Sequence, residues 1–286
     1  MKEGDWVTRK SYGHDVVFRI EKITGSSALL RGVEYRLLAD APLNDLNKVE
    51  DEASIPQNVD ALEKINETMR VLEASRRKSA ERNMDHRQLG QQEVISYFEI
   101  PGKVLHLDGD PNYLKKCMEL YRKLRVPAEG HHFLEEQMPQ ALEHLLPKVK
   151  PDIVVITGHD GIYKHRQDDL YNLSSYKNSR NFMKAVLVSR QYERNRDTLT
   201  IIAGACQSHF EALLQAGANF ASSPGRVLIH ALDPVQIAAK IAYTPIKETV
   251  NMMDVISHTV SGVKGLGGIE TLGCYRMGLP NINKFA

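Results

Sequence analysis

Two apolar runs dominate the hydrophobic pattern, and each ends in small residues and one reactive side chain. The first is Asp152-Ile-Val-Val-Ile-Thr-Gly-His159-Asp160-Gly161 and the second Leu199-Thr-Ile-Ile-Ala-Gly-Ala-Cys206-Gln207-Ser208. Both are short, β-branched and free of charge, the pattern of strands buried on both faces of a parallel sheet. A helix-forming stretch from Asn178 to Arg194 separates them, so the order is strand, helix, strand. A right-handed crossover of this kind sets parallel strands side by side, about 4.8 Å apart. His159 and Cys206 then face one cleft at the carboxyl edge, where open α/β sheets bind ligands.

The same alternation extends to both sides of these runs. Val104 to Leu107 reads as a strand ending at Asp108-Gly-Asp110, followed by a helix from Pro111 to Leu124 with Leu114, Met118 and Tyr121 on one face. Val126 to Phe133 is a second strand and Met138 to Val149 a second helix. Beyond Cys206 the pattern predicts a helix over 207–216 stopped by Gly217, a fifth strand over 226–231, and a helix over 234–242. The glycine-rich tail, 262–280, reads as loop with a short hairpin.

Toward the N-terminus the period shortens. Runs at 5–9, 16–23, 28–31 and 33–38, divided by turn residues, predict a small SH3-like β-barrel with Trp6, Tyr12, Phe18 and Tyr35 in its core. From Glu50 the composition turns polar; Leu62, Ile65, Met69 and Leu72 give one helical stripe, which fades after Ala74. The expected organisation is an SH3-like module (1–49), a polar helical linker (50–93) and an α/β domain (94–286). The module reads as an accessory to the chemistry.

Composition narrows the function. Lys plus Arg number 37 against 36 Asp plus Glu, so no global field favours nucleic acid or anionic membrane. No apolar stretch approaches the ~20 residues of a bilayer span, and Met1-Lys-Glu-Gly-Asp5 lacks the apolar core of a signal peptide. A cytoplasmic protein with no nucleic-acid or membrane partner is expected. Three widely spaced cysteines, Cys117, Cys206 and Cys274, suit a reducing compartment and form neither a disulfide framework nor a CxxC metal site.

The chemistry centres on Cys206. A free thiol, with a pKa of about 8.5, is a weak nucleophile at neutral pH and needs a base. His159, one crossover earlier, is the expected base, with His209 as the alternative. Cys206 is expected to open a helix, whose free amides favour thiolate and oxyanion. Asp160, Gly161 and Gly204 are the expected supporting residues, Asp160 orienting the ring and the glycines letting backbone approach a substrate. No cofactor or metal is called for.

An apolar run ending in His-Asp-Gly and a second ending in Ala-Cys, at strands three and four of an α/β domain, resemble the caspase, legumain and clostripain clan of cysteine peptidases. The strings Pro101-Gly-Lys-Val-Leu-His-Leu-Asp-Gly-Asp110, Ile156-Thr-Gly-His-Asp160, Gly204-Ala-Cys-Gln-Ser-His-Phe210 and Ala218-Asn-Phe-Ala-Ser-Ser-Pro224 are similar to the YabG family of sporulation proteases. That resemblance implies a caspase-like α/β/α sheet domain and a mother-cell protease. Its implied substrates are spore coat and cortex-related proteins, cut after basic residues. With cleavage after basic residues, self-cleavage is expected in linker residues 74–89, which offer Arg76, Arg77, Lys78, Arg82 and Arg87 where the apolar stripe has faded and little packing holds the chain closed. The sequence departs from the clan in two places. Asp160 follows the histidine where glycine is usual, so the second oxyanion amide is open. Gly204 stands where basic-specific relatives carry an aspartate, leaving Asp168, Asp169 and Asp233 as candidates by position for a carboxylate that binds the basic side chain. The alternative reading is a receiver-like signalling or binding domain with Asp108 and Asp110 after strand one. It lacks an acceptor aspartate at the end of strand three.

Overall fold

The computed structural model describes residues 1–49, 63–71, 73–74 and 98–278. Five strands, β1 (Trp6–Arg9), β2 (Val17–Thr24), β3 (Ser27–Gly32), β4 (Leu38–Pro42) and β5 (Leu46–Lys48), form an antiparallel sheet in the order β4-β3-β2-β1-β5. In β3, Ala28, Leu30 and Gly32 turn inward while their neighbours face outward, the period of a half-buried strand. With Val7, Phe18, Ile20, Ala41 and Leu46 the first two make a small core. Tyr12 is not part of it: the ring is 54% exposed and lies beneath the Arg9 guanidinium. The expected strand over 33–38 is likewise absent. β4 begins only at Leu38, because the connection from Gly32 to Leu37 bonds to residues 229–231 instead.

Residues 63–71 are helical (α1); Ile65 and Met69 pack on the main core. Leu62, Leu72 and residues 75–93 of the expected linker lie outside the described residues.

The remainder is built on a six-stranded sheet. Its elements are β6 (Phe98–Ile100), β7 (Val104–Asp108), α2 (Pro111–Leu124), β8 (Ala128–His132), α3 (Met138–Val149), β9 (Ile153–Thr157), α4 (Ser179–Tyr192), β10 (Thr200–Ala203), α5 (Phe210–Ala216), β11 (Phe220–Ser222), α6 (Asp233–Tyr243), β12 (Thr249–Val250), α7 (Met252–Ser257), α8 (Gly262–Gly265), β13 (Leu266–Gly268), β14 (Thr271–Leu272) and β15 (Arg276–Gly278). The sheet order is β13-β11-β10-β9-β7-β8. All neighbours are parallel except β13, which closes one edge antiparallel to β11. Alternate residues of each central strand feed two cores: Val104, Ile153, Val155 and Ile202 point toward α2 and α6, and Leu105, Leu107, Val154, Ile156 and Ile201 toward α3, α4 and α5. The result is an α/β/α sandwich.

Local chemistry sets the helix ends. The Asp110 carboxylate accepts from the amides of Asn112 and Tyr113 with Pro111 in the first turn, and Arg125 closes α2 in the left-handed region at φ 56°, a standard pairing of cap and stop. The expected fifth strand at 226–231 does not join the sheet, and Phe220–Ser222 takes that place. Ser223 and Arg226 adopt positive φ, turning the chain away, and 229–231 pairs instead with residues 34–36 of the N-terminal sheet.

Leu105 is fully buried in the face shared with α3. Leu105→Ala is expected to cost about 2–5 kcal/mol, measurable as a lowered midpoint in urea denaturation with an unchanged slope.

Candidate active site

Three strand ends build the site. In the parallel register Asp108 sits opposite Thr157 and Ala203 opposite Ile156. His159 and Cys206 each follow that last pair by three residues, so they leave adjacent strands at the same level. Cys206 does not open a helix. It lies in a turn between Gly204 (φ 109°) and Gln207 (φ 55°), and α5 starts only at Phe210. A Cβ at Gly204 would press on the Leu213 side chain, so this turn requires glycine.

The Cys206 thiol is fully buried. Its sulfur accepts from the Ile229 amide at 3.0 Å and lies 3.6 Å from the Ile229 carbonyl. Burial pushes its pKa up, and that amide bond only partly offsets the effect. The Cys206 amide donates to the carbonyl oxygen of Arg36 at 3.2 Å, and the Asp160 amide donates to the same oxygen at 3.2 Å. Two amides from two strand ends thus converge on one carbonyl oxygen. Such a pair can hold an oxyanion.

His159 is also fully buried. Its ring stacks on Tyr113 with centroids 5.1 Å apart, and Nδ1 is 3.3 Å from Arg31 Nη1. A guanidinium only donates, so Nδ1 is the acceptor and the ring proton is on Nε2. Nε2 makes no hydrogen bond among the described residues; Asp110 Oδ2 is 3.8 Å away. Burial first, then the Arg31 charge, lowers the His159 pKa to about 3. The His159 amide donates to Glu135 Oε1 at 2.9 Å. This buried carboxylate, with its pKa raised by burial, also fills the space beside Gly109 and Gly158, where a Cβ would strike it.

Asp160 is a structural knot. Its carboxylate accepts from the amides of Gly161 and Asn178 at 2.8 Å and from the hydroxyls of Ser179 and Ser208. It therefore ties the end of β9 to the start of α4 and to the Cys206 turn, and the side chain does not face the ring of His159. Burial raises its pKa against these four donors. A Cβ at Gly161 would overlap the Leu38 carbonyl oxygen. His209 caps α5: its Nδ1 accepts from the Ala212 amide at 3.3 Å and Nε2 lies 3.1 Å from the Tyr171 carbonyl. Asp168 and Asp169 are exposed. Asp233 is buried and accepts from the amides of Val260 and Ser261, its pKa raised by burial.

One residue at this edge that the motifs do not point to comes from the N-terminal antiparallel sheet. Arg36, on the connection between β3 and β4, is completely buried at this edge. Nη1 lies 2.8 Å from Asp108 Oδ2. Nη2 and Nε donate to the Ala231 carbonyl at 2.8 and 3.2 Å, Nη2 reaches Cys117 Sγ at 3.6 Å, and the Tyr113 ring lies 5.1 Å from the guanidinium carbon. Burial opposes charge on both partners, but the Coulombic attraction prevails: the Arg36 pKa is raised and that of Asp108 lowered. Cys117 is pushed up to about 12 by the same burial. His106, Asp108 and Cys117 lie close enough together to ligate a metal. The guanidinium already supplies the positive charge there, and His106 is engaged by Thr157 at 2.9 Å and Tyr121 at 3.1 Å. No periodicity signals Arg36.

Comparison with known proteins defines the class: the chain is a peptidase. The model of the family described as YabG peptidase U57 matches residues 2–280, and the chain belongs to that family. It is 45% identical over 282 residues to the sporulation-specific protease YabG of Bacillus subtilis (strain 168), covering 97% of each chain. No solved structure matches the chain. Among the described residues no helix is long and apolar enough to cross a membrane.

The buried histidines set a pH dependence. His159 and His230, held to about 3 and about 4 mainly by burial, stay neutral in the fold while their unfolded counterparts titrate near 6.5. Unfolding takes up protons in that window, so their contribution is complete above pH ~6.5 and is lost as pH falls toward the folded values. The raised carboxyls Asp160, Glu135 and Asp233 act in the opposite sense, losing stability as pH rises. The expected outcome is a urea midpoint that falls from pH 7 to pH 5 less steeply in the His159→Gln, His230→Gln double variant than in the wild type.

Proposed function

We propose that this peptidase is a sporulation-associated cysteine endopeptidase with Cys206 as nucleophile and His159 as base, cutting spore coat and cortex-related proteins after arginine or lysine. The observation that carries the reading is the pair of amides, Cys206 and Asp160, bonded to one carbonyl oxygen beside the Cys206 thiol. A peptide carbonyl held there is polarised toward the thiol, and the negative charge that develops on attack meets donors already in place. His159 takes the thiol proton and returns it to the leaving amine. Gly204 and Gly161 keep the backbone close at this point, and Asp160 acts through its amide while its carboxylate fixes the turn. His209 is committed to capping α5. The six-stranded domain is read as caspase-like and the N-terminal sheet as SH3-like. The place of action is the mother-cell cytoplasm or the spore coat, and no cofactor is required. Autoprocessing belongs to the same reading, although residues 75–89 of the expected linker target lie outside the described residues.

The receiver-like alternative gains no support: Asp108 is engaged by Arg36 and Thr157, and Asp110 caps α2.

With a fluorogenic arginyl peptide, Cys206→Ala is expected to abolish turnover and His159→Ala to reduce kcat by roughly 10²–10⁴, while His209→Ala remains active. Iodoacetamide should inactivate the wild type. Activity that survives in Cys206→Ala would end the assignment, and an inactive His209→Ala beside an active His159→Ala would transfer the base.

A further inference from the structure

The connection from Gly32 to Leu38 behaves unlike a strand linker. It carries a charged side chain out of its own sheet into the interior of the other domain. Its backbone pairs with 229–231 in an antiparallel ribbon: the Arg36 amide donates to the Ile229 carbonyl at 3.0 Å, the Ala231 amide donates to the Glu34 carbonyl at 2.9 Å, and Tyr35 bridges His230. The Tyr113 hydroxyl donates to the carbonyls of Gly32 and Tyr35. Main-chain pairing that reads shape, with one side chain selected by a closed pocket, is the way an extended peptide is recognised. At the same residue the carbonyl sits on the two converging amides.

We propose that Arg36 is a built-in substrate residue. Its pocket is the primary specificity pocket with Asp108 as its carboxylate, and residues 34–37 lie across the edge as a peptide whose Arg36–Leu37 bond the enzyme cuts in itself. This rests on the Cys206–His159 reading above. Such a pocket would favour arginine over lysine. A guanidinium reaches Asp108, the Ala231 carbonyl and the Tyr113 face together, whereas an ammonium is a single point charge. In the step itself, the Cys206 thiol proton passes to the imidazole and the sulfur bonds to the Arg36 carbonyl carbon. The oxyanion rests on the amides of Cys206 and Asp160, the carbon–nitrogen bond to Leu37 breaks, and the proton leaves with the Leu37 amine. Water then hydrolyses the thioester, giving the Arg36 carboxylate and restoring the thiol. Arg31, from β3 of the same module, occupies Nδ1 of His159, so the imidazole has a free lone pair only when Arg31 withdraws. The module thus restrains the base as well as filling the pocket. The cut falls between β3 and β4, which pair over five residues, so the pieces 1–36 and 37–286 stay associated until denatured.

The test uses purified full-length wild type, Cys206→Ala and Arg36→Gln, each incubated, denatured and mapped for new N-termini by mass spectrometry, with arginyl-peptide kinetics in parallel. Of these three, a terminus at Leu37 is expected only in the wild type, and Arg36→Gln should cleave the peptide with a lower KM because its pocket no longer holds a guanidinium. Arg36→Lys keeps the buried charge and should give the Leu37 terminus more slowly, which guards against misfolding of the glutamine variant. In Arg36→Gln, Asp108→Asn, which removes both charges together, the kcat/KM preference for arginyl over glutaminyl peptide should fall by roughly tenfold or more. Peptide cleavage that needs Cys206, with the Arg36–Leu37 bond intact and KM unchanged in Arg36→Gln, would overturn this inference and leave the cysteine peptidase standing. Absence of both activities would overturn the two together.

Discussion

The arrangement of the whole site depends on one buried ion pair, Arg36 with Asp108, both side chains without solvent exposure. Taking two such charges out of water costs several kcal/mol each, and their attraction repays it only when the remaining hydrogen-bonding groups are satisfied. Here most are, although Arg36 Nη1 meets Asp108 as an ion pair and makes no hydrogen bond among the described residues. Asp108 also accepts from the Asp110 amide and the Thr157 hydroxyl, and the guanidinium reaches Ala231 and Cys117. A pair this well enclosed has little freedom to loosen in part. It fixes where residues 32–38 cross the sheet edge, and so couples the small sheet to the large one more tightly than surface contact between two modules would.

A second group of interactions holds the edge open to that crossing. The Asp160 carboxylate gathers donors from Gly161, Asn178, Ser179 and Ser208, and Glu135 receives the amide of His159. Both carboxyls are buried and raised in pKa by burial. Their work is to hold backbone, leaving the amides of Asp160 and Cys206 free to meet at the Arg36 carbonyl. Buried carboxylates at the bases of the loops hold the strand-end residues in place with little freedom to move.

Much of the α/β domain was legible because its signals are local. Pro111 after Asp110 announces α2, and the β-branched runs before His159 and Cys206 can only be central strands. The errors arose where long-range pairing overrides local preference. Residues 226–231 are β-like in sequence and do form backbone pairs, but with residues 34–36 and not with the sheet, and no periodicity encodes the partner. The stretch 33–38 was misread for the reciprocal reason. Cys206 and His159 were visible as strand-end residues. Arg36 and Glu135 were not, since a buried charge reads as a surface residue until its counter-charge is placed beside it. The second amide at the Arg36 carbonyl, that of Asp160, is open in the motif comparison: His159 leaves its strand level with Cys206, and it is the next amide along that turns onto the same oxygen.

One further consequence lies in Trp6, the chain's single tryptophan. It lines a cavity of about 860 Å³ together with Arg31, Gly32, Val33, Asp110 and Tyr113, directly beside the crossing segment. An indole ring in such a setting senses the polarity and quenching groups around it, and two of those groups, Arg31 and Tyr113, also touch His159. The molecule therefore carries its own optical probe. Emission from Trp6 is thus placed to follow changes around the segment that crosses the sheet edge, with no label attached.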